Sequence, residues 1–200
     1  MTTTDSAAVT ADTETAAQRA RRERILTATL ALAARGGYDA VQMREVAERS
    51  EVALGTLYRY FPSKVHLLVC AMASEVDRLS ARLQKRQAPG DTRAERVRFV
   101  LERSTRSLQR DPLLTEALIR AMMAADASVA HEVAAVRSNM TGLIMQAMRG
   151  EGPEQEHDLD LAAILQDVWF ARQIAWLGGR IGADEVWRDI ALAIDLVLAD

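Results

Sequence analysis

The chain has 200 residues, 49% of them hydrophobic but only 4% aromatic, with four prolines and ten glycines. That composition suits Ala- and Leu-rich helices in one large or two small domains, and no alternating Val/Ile/Thr runs mark strands, so the expected fold class is all-α. The net charge of −3 looks wrong for a DNA-binding protein until it is divided: residues 18–66 hold nine Arg and Lys against five acids, a surplus of four, leaving −7 elsewhere, which concentrates attraction for phosphate at one end.

Residues 1–16, rich in Thr, Ala and Asp, read as a disordered tail. The tail has no basic region followed by an apolar core, and no stretch of about 18 apolar residues occurs anywhere, so the expected location is the cytoplasm and not a membrane. The first helix is expected from about Ala17 to Arg35, burying Ile25, Leu26, Leu30 and Leu32 and ending at Gly36-Gly37, where glycine takes a left-handed cap at little cost. Its cluster Arg19, Arg21, Arg22 and Arg24 attracts a DNA backbone, or reaches a minor groove as an arm.

Val41 to Lys64, VQMREVAERSEVALGTLYRYFPSK, reads as two short helices, a tight turn and the start of another helix. Met43, Val46 and Ala47 form an apolar stripe, with Arg44, Glu45, Glu48 and Arg49 on the wet side. A second short helix, from Ala53 to Tyr60, buries Leu57 and presents Thr56, Tyr58, Arg59 and Tyr60, groups that bond phosphates and base edges. Pro62 forces Phe61 out of the α region and stops that helix. Ser63 then caps a long fourth helix running to about Arg86, with Lys64 and with His66, read as a polar surface residue, in its first turn. Cys70, the only cysteine, excludes an intramolecular disulfide and reads as a buried structural thiol of a reducing compartment.

GTLYRYF followed by PSK and an apolar helix, about a dozen residues after a Gly-Tyr-x-Ala-Val-x-Met-Arg-x-Val-Ala run, resembles the N-terminal domain of TetR-family transcriptional repressors. The resemblance implies a DNA-binding domain over residues 17–66 that reads double-stranded operator DNA. Gln42 and Arg44 would open the supporting helix, Thr56 and Tyr58 face the major groove, and Tyr60 and Lys64 hold phosphates. Gln42 stands where family members carry Thr or Ser, and Ala53 where they often carry Ser, so both helix starts lose a hydroxyl cap. A Gln at that place either pairs with an adenine edge or bonds phosphate and solvent.

Ala88-Pro89-Gly90-Asp91 breaks the chain, and beyond it a wholly helical body is expected. Thr92–Arg110 gives one helix; Asp111-Pro112 opens the next, since proline's missing N–H has no partner there. Further helices are expected over about Ser128–Arg149, Glu154–Arg180 and Asp184–Ala199. Residues 67–200 read as a ligand-binding and dimerisation domain. The last two helices carry apolar residues on more than one side, so one side can face a second copy in a four-helix interface, with Leu165, Val168, Ile190, Ile194 and Val197 as its candidates. Met122, Met123 and Met140 with Phe99, Trp169 and Trp176 are candidates for a pocket lining; Arg103, Arg106, Arg120 and Arg172 could pair an anionic group.

RDPLLTEALIRAMMAADAS, DVWF and AWL, outside the DNA-reading region, extend the resemblance to actinobacterial repressors of cholesterol catabolism. It implies a homodimer released from a near-palindromic operator by a small apolar effector, a steroid coenzyme A thioester; a fatty acyl-CoA or an antibiotic is the alternative within the family. An enzyme is not expected. His131-Glu132 is followed by Ala134 and Ala135, so HExxH fails, the three histidines lie far apart in sequence, and the Gly178–Gly182 cluster follows a helix rather than a strand. No cofactor or metal is expected, and the fourth helix is the expected lever between effector and DNA.

Overall fold

The computed structural model describes residues 15–84 and 88–199, and they are all helical, with no strand among them. The helices are α1 (Ala16–Ala40), α2 (Met43–Arg49), α3 (Leu54–Tyr60), α4 (Lys64–Gln84), α5 (Arg93–Arg110), α6 (Pro112–Met123), α7 (Ala130–Arg149), α8 (Asp158–Leu177) and α9 (Ala183–Val197), with one 3-10 turn at Ala127–Val129. The tail expected over residues 1–16 lies outside the described residues except for Thr15 and Ala16, which open α1. No helix among the described residues is long and apolar enough to cross a membrane.

Local chemistry sets these boundaries. Thr15 Oγ1 accepts from the Gln18 N–H at 3.2 Å while Gln18 Oε1 accepts from the Thr15 N–H at 2.7 Å, a reciprocal cap that satisfies two otherwise orphaned donors. Thr92 and Glu95 repeat it at the start of α5, with both bonds at 3.1 Å. Asp111 caps α6 through the Leu114 N–H at 3.1 Å, directly before Pro112. Ser63 accepts the His66 N–H at 3.1 Å, and Phe61, ahead of Pro62, is extended with φ −138° and ψ 93°, so α3 stops at Tyr60 as expected. Helix α8 starts four residues later than Glu154, because His157 sits at φ 69°.

Two apolar cores result. The first joins Leu26, Leu57, Phe61 and Leu68 of the N-terminal helices to Ala117, Leu118 and Ala121 of α6 and Val136 of α7. The second joins Val97, Leu101, Ile144, Leu165, Ile190 and Ile194 of α5, α7, α8 and α9. Val76 of α4 and Phe170 of α8 pack against both. Cys70 is buried in the first core.

α1 does not end cleanly at Arg35. Gly36 and Gly37 leave helical geometry, Gly37 with φ 68° and ψ −160°, and the chain bends through Tyr38 before α2. A Cβ at Gly37 would lie 3.0 Å from Glu116 Oε2, in a backbone region that is essentially glycine's own, costing about 1–3 kcal/mol for other residues. Gly37→Ala is expected to destabilise the protein by that amount, measured as a lowered midpoint in urea unfolding.

Candidate functional site

Two places combine exposure with convergent chemistry. The first is the tip formed by α2, α3 and the start of α4. α2 is held by Val46 and Ala47, α3 by the fully buried Leu57, and the turn between them by Ser50, whose hydroxyl donates to the Val46 carbonyl at 2.7 Å. With those side chains turned inward, Gln42, Arg44, Tyr58 and Lys64 surround one surface hollow of about 390 Å³. Tyr58 is 45% exposed, whereas Thr56 and Tyr60 are half-buried. Neither Gln42 nor Ala53 makes a side-chain cap bond; the Gln42 amide reaches back only toward the Asp39 carbonyl, at 3.5 Å.

Lys64 is less free than its place in the sequence suggested. Its ammonium stands 4.0 Å from the centre of the Tyr38 ring, and the Arg120 guanidinium of α6 stands 4.4 Å from the same ring, within cation–π range. Burial pushes the Lys64 pKa below its usual value; nearby Arg120 acts in the same direction and Asp39 and Glu116 oppose it. The same joint holds the α1 bend. Glu116 Oε2 accepts the Tyr38 N–H at 3.1 Å, and Arg120 pairs with Asp39 at 3.3 Å and with Glu116 at 3.5 Å. From the sequence Arg120 could pair either an anionic ligand or a neighbouring acid, and in the structure it pairs with the acids of this joint.

The second place is a cavity of about 320 Å³ between α4, α5, α6, α7 and α8. Met122, Met123, Met140 and Trp169 line it as expected, together with Met72, Val76 and Leu79 of α4 and Phe170 of α8. Phe99 and Trp176 are a correction: they pack half-buried on the second core and do not line the cavity, Phe99 because it faces another side of α5 and Trp176 because it lies two turns beyond Trp169 along α8. Trp169 is fixed by its indole N–H, which donates to Thr105 Oγ1 at 3.0 Å, and the Thr141 hydroxyl donates to the Gln166 amide oxygen. Arg82 and Arg137 supply the cationic lining, Arg137 paired with Asp167 at 2.9 Å, and Glu75 and Asp111 supply the acidic. Arg106 and Arg172 are paired with Glu102 and Asp189, and neither they nor Arg103 line the cavity. The apolar repeat Met72, Val76 and Leu79 on α4 carries the signal for this wall.

A larger hollow, about 520 Å³, lies between the 88–91 loop and the end of α7. Arg96 crosses it to the carbonyls of Ala147 and Met148, at 2.8 and 2.9 Å; it is a surface cleft in which Val100 and Leu143 stand beside the more polar Asp91, Arg96, Gln146, Arg149 and Glu151.

The expected dimer residues divide. Leu165, Ile190 and Ile194 are no more than 1% exposed within a single chain, so they are core and cannot present surface to a partner. Val168 and Val197 are half-buried. The outward apolar residues of these helices are Leu159, Ile164, Leu192 and Leu196, the last 71% exposed. His66 is corrected as well: far from lying on the surface, it bonds Glu132 of α7 through Nε2 at 3.1 Å, with its side chain only 17% exposed.

Residues 25–69 match the family of bacterial regulatory proteins called tetR, and residues 90–197 match the tetracyclin repressor-like C-terminal domain. The chain is 50% identical over 189 residues to the HTH-type transcriptional repressor KstR of Rhodococcus jostii, a match that covers 94% of this chain and 88% of that protein. It is 46% identical to KstR of Mycobacterium tuberculosis, over 92% of this chain and 83% of that protein. Among solved structures, a TetR transcriptional regulator from Rhodococcus superposes with a TM-score of 0.83 at 36% identity, over 92% and 98% of the two chains. Thermus thermophilus FadR, solved with lauroyl-CoA, shares the fold at a TM-score of 0.70 and 20% identity, over 88% and 93%.

Thr105→Val keeps the shape of the cavity wall but leaves the buried Trp169 N–H without an acceptor. It is expected to cost about 1–3 kcal/mol, read by urea denaturation followed through tryptophan fluorescence.

Proposed function

Because this chain belongs to the TetR family of transcriptional repressors and carries its DNA-binding helix-turn-helix, we propose that it represses sterol and lipid catabolism genes. In this reading it binds a near-palindromic operator as a homodimer and leaves it on binding a steroid carried as a coenzyme A thioester. The observation that carries the ligand class is the cavity: its walls are apolar and rich in methionine, and Arg82 and Arg137 are its cations. Ligand sites span about 300–1,000 Å³, so 320 Å³ accommodates an apolar body but not a whole coenzyme. The nucleotide end must lie outside, where its phosphates can meet Arg82 and Arg137. KstR relatives at 46–50% identity support the gene class.

A second reading is a fatty acyl-CoA effector. Flexible methionine side chains adapt to a chain as well as to fused rings, and the shared fold is one that holds lauroyl-CoA in Thermus thermophilus FadR.

On the DNA side, residues 17–66 are the reading domain. Tyr58 and Thr56 enter the major groove, Gln42 and Arg44 approach from the start of α2, and Tyr60 and Lys64 hold phosphates. Residues 67–200 supply the effector cavity and the dimer face. That face is drawn by Ile164 and Val168 of α8 and by Leu192 and Leu196, four residues apart on α9 and its end. Two such pairs of helices can close an isologous four-helix contact. Release is linkage: α4 and α6 each line the cavity on one side and touch the reading domain on another, so an effector favouring a different setting of these helices lowers operator affinity by its differential binding.

Gel shifts with the chain's own upstream DNA test the proposal. Release by a steroid acyl-CoA thioester and not by a fatty acyl-CoA is the expected result; release by the fatty acyl-CoA alone selects the second reading. Tyr58→Ala should weaken binding with the dimer intact, and normal binding by that variant would remove α3 from the groove. Leu196→Asp should yield monomer in sedimentation and weaken operator binding at least about tenfold, a loss of 1.4 kcal/mol; an unchanged dimer would remove the proposed face.

A further inference from the structure

His66, Cys70 and Glu132 form a cluster that repression does not use. His66 and Cys70 are four residues apart, on one face of α4, and Glu132 arrives from the first turn of α7. His66 Nε2 and Glu132 Oε1 are 3.1 Å apart, and the donor atoms of all three residues lie within 4.8 Å of one another. We propose that these three side chains form a binding site for a divalent transition-metal ion, zinc being the best match, that ties α4 to α7.

The donor set favours such an ion. Thiolate, imidazole and carboxylate are the three ligand types that zinc takes, at about 2.3, 2.0 and 2.1 Å, and a tetrahedron of those lengths separates donors by roughly 3.4 Å. The cluster therefore needs only to close by a little over an ångström at its widest. Glu132 can provide that movement, since its side chain is 26% exposed and stands at a helix start. Its carboxylate already stands at the site, with Oε1 3.1 Å from His66 Nε2. At Cys70, burial pushes the pKa up against the pull of Arg22. Coordination forms a metal–sulfur bond and sends the thiol proton to solvent.

Arg22 of α1 interacts with the thiol, and among the described residues it is the cation that acts on it, with Glu132 opposing. A divalent ion held by two anionic ligands and one neutral ring is an uncharged centre, so Arg22 need only release the sulfur; it already stands 5.7 Å from the Phe61 ring centre. His131, next to Glu132, faces that carboxylate from α7. Three protein donors leave a fourth position open to water.

The site lies midway along the lever, between Lys64 at the DNA tip and Met72 in the cavity wall. An ion there would pin α4 against α7 and stiffen the connection between effector and operator.

The test is optical and uses the full-length protein after chelation and dialysis. Titration with Co(II) should produce a sulfur-to-cobalt charge-transfer band that saturates at one ion per chain and is abolished by added Zn(II). Cys70→Ser and Glu132→Gln should each remove the band; the Glu132 side chain is a quarter exposed at a helix start, so its isosteric variant keeps the fold, as circular dichroism will report. Zn(II) should raise the melting temperature of the parent chain and leave that of Glu132→Gln unmoved. Absence of the band in the parent chain, or its persistence in Glu132→Gln, overturns the site.

Discussion

The Glu116 carboxylate holds the molecule's two halves in register. It accepts the backbone N–H of Tyr38 at the point where α1 bends, and it pairs with Arg120, which also reaches Asp39. Hydrogen bonds to a charged group contribute about 1.5–3 kcal/mol, and this one acts on a chain segment with unusual freedom, since Gly36 and Gly37 have no side chains to restrain it. Everything from Val41 to Tyr60 hangs from that bend. The direction in which α2 and α3 project is thus set by a residue of the effector-binding half, more than fifty residues further along the chain.

Charge at the joint is arranged with similar economy. Lys64 and Arg120 share the face of one tyrosine while Asp39 and Glu116 neutralise them. A lysine held this way keeps little rotamer freedom, which favours tight positioning over long reach. The cavity lies on the far side of the same two helices, α4 and α6, so its contents and the setting of the joint share walls. Its methionines make those walls compliant, whereas the bond from Trp169 to Thr105 fixes one side.

The sequence made the DNA-reading end legible because its logic is short-range. A stripe at Met43, Val46 and Ala47, a proline after Phe61 and a serine before Lys64 each fix geometry within one or two turns, and the structure follows them closely. The distant half was harder. α8 and α9 carry apolar residues on more than one side, so periodicity identified the helices but not which side was core. Leu165, Ile190 and Ile194 went to the chain's own interior and left Ile164, Leu192 and Leu196 outside. Phe99 and Trp176 failed for a related reason: large aromatic residues suit a pocket and a core equally, and only the rotation of α5 about its axis and the position of Trp176 along α8 separate the two. The bonds from Tyr38 to Glu116 and from His66 to Glu132 join residues more than sixty positions apart, and no local pattern announces them.

The reading end looks like a detachable module, with its own motif and a surplus of positive charge, but its packing says otherwise. Phe61 and Leu68 share a core with Ala117, Leu118 and Val136, and Val76 and Phe170 link that core to the second. A head cut at residue 66 would lose one wall of its interior. Exchanging heads between relatives to redirect operator choice therefore requires carrying the inner face of α6 along with them. Residues on the outside of α2 and α3 are free to change one by one, whereas the inner sides of α1 and α4, which pack against α6 and α7, must change together with that body.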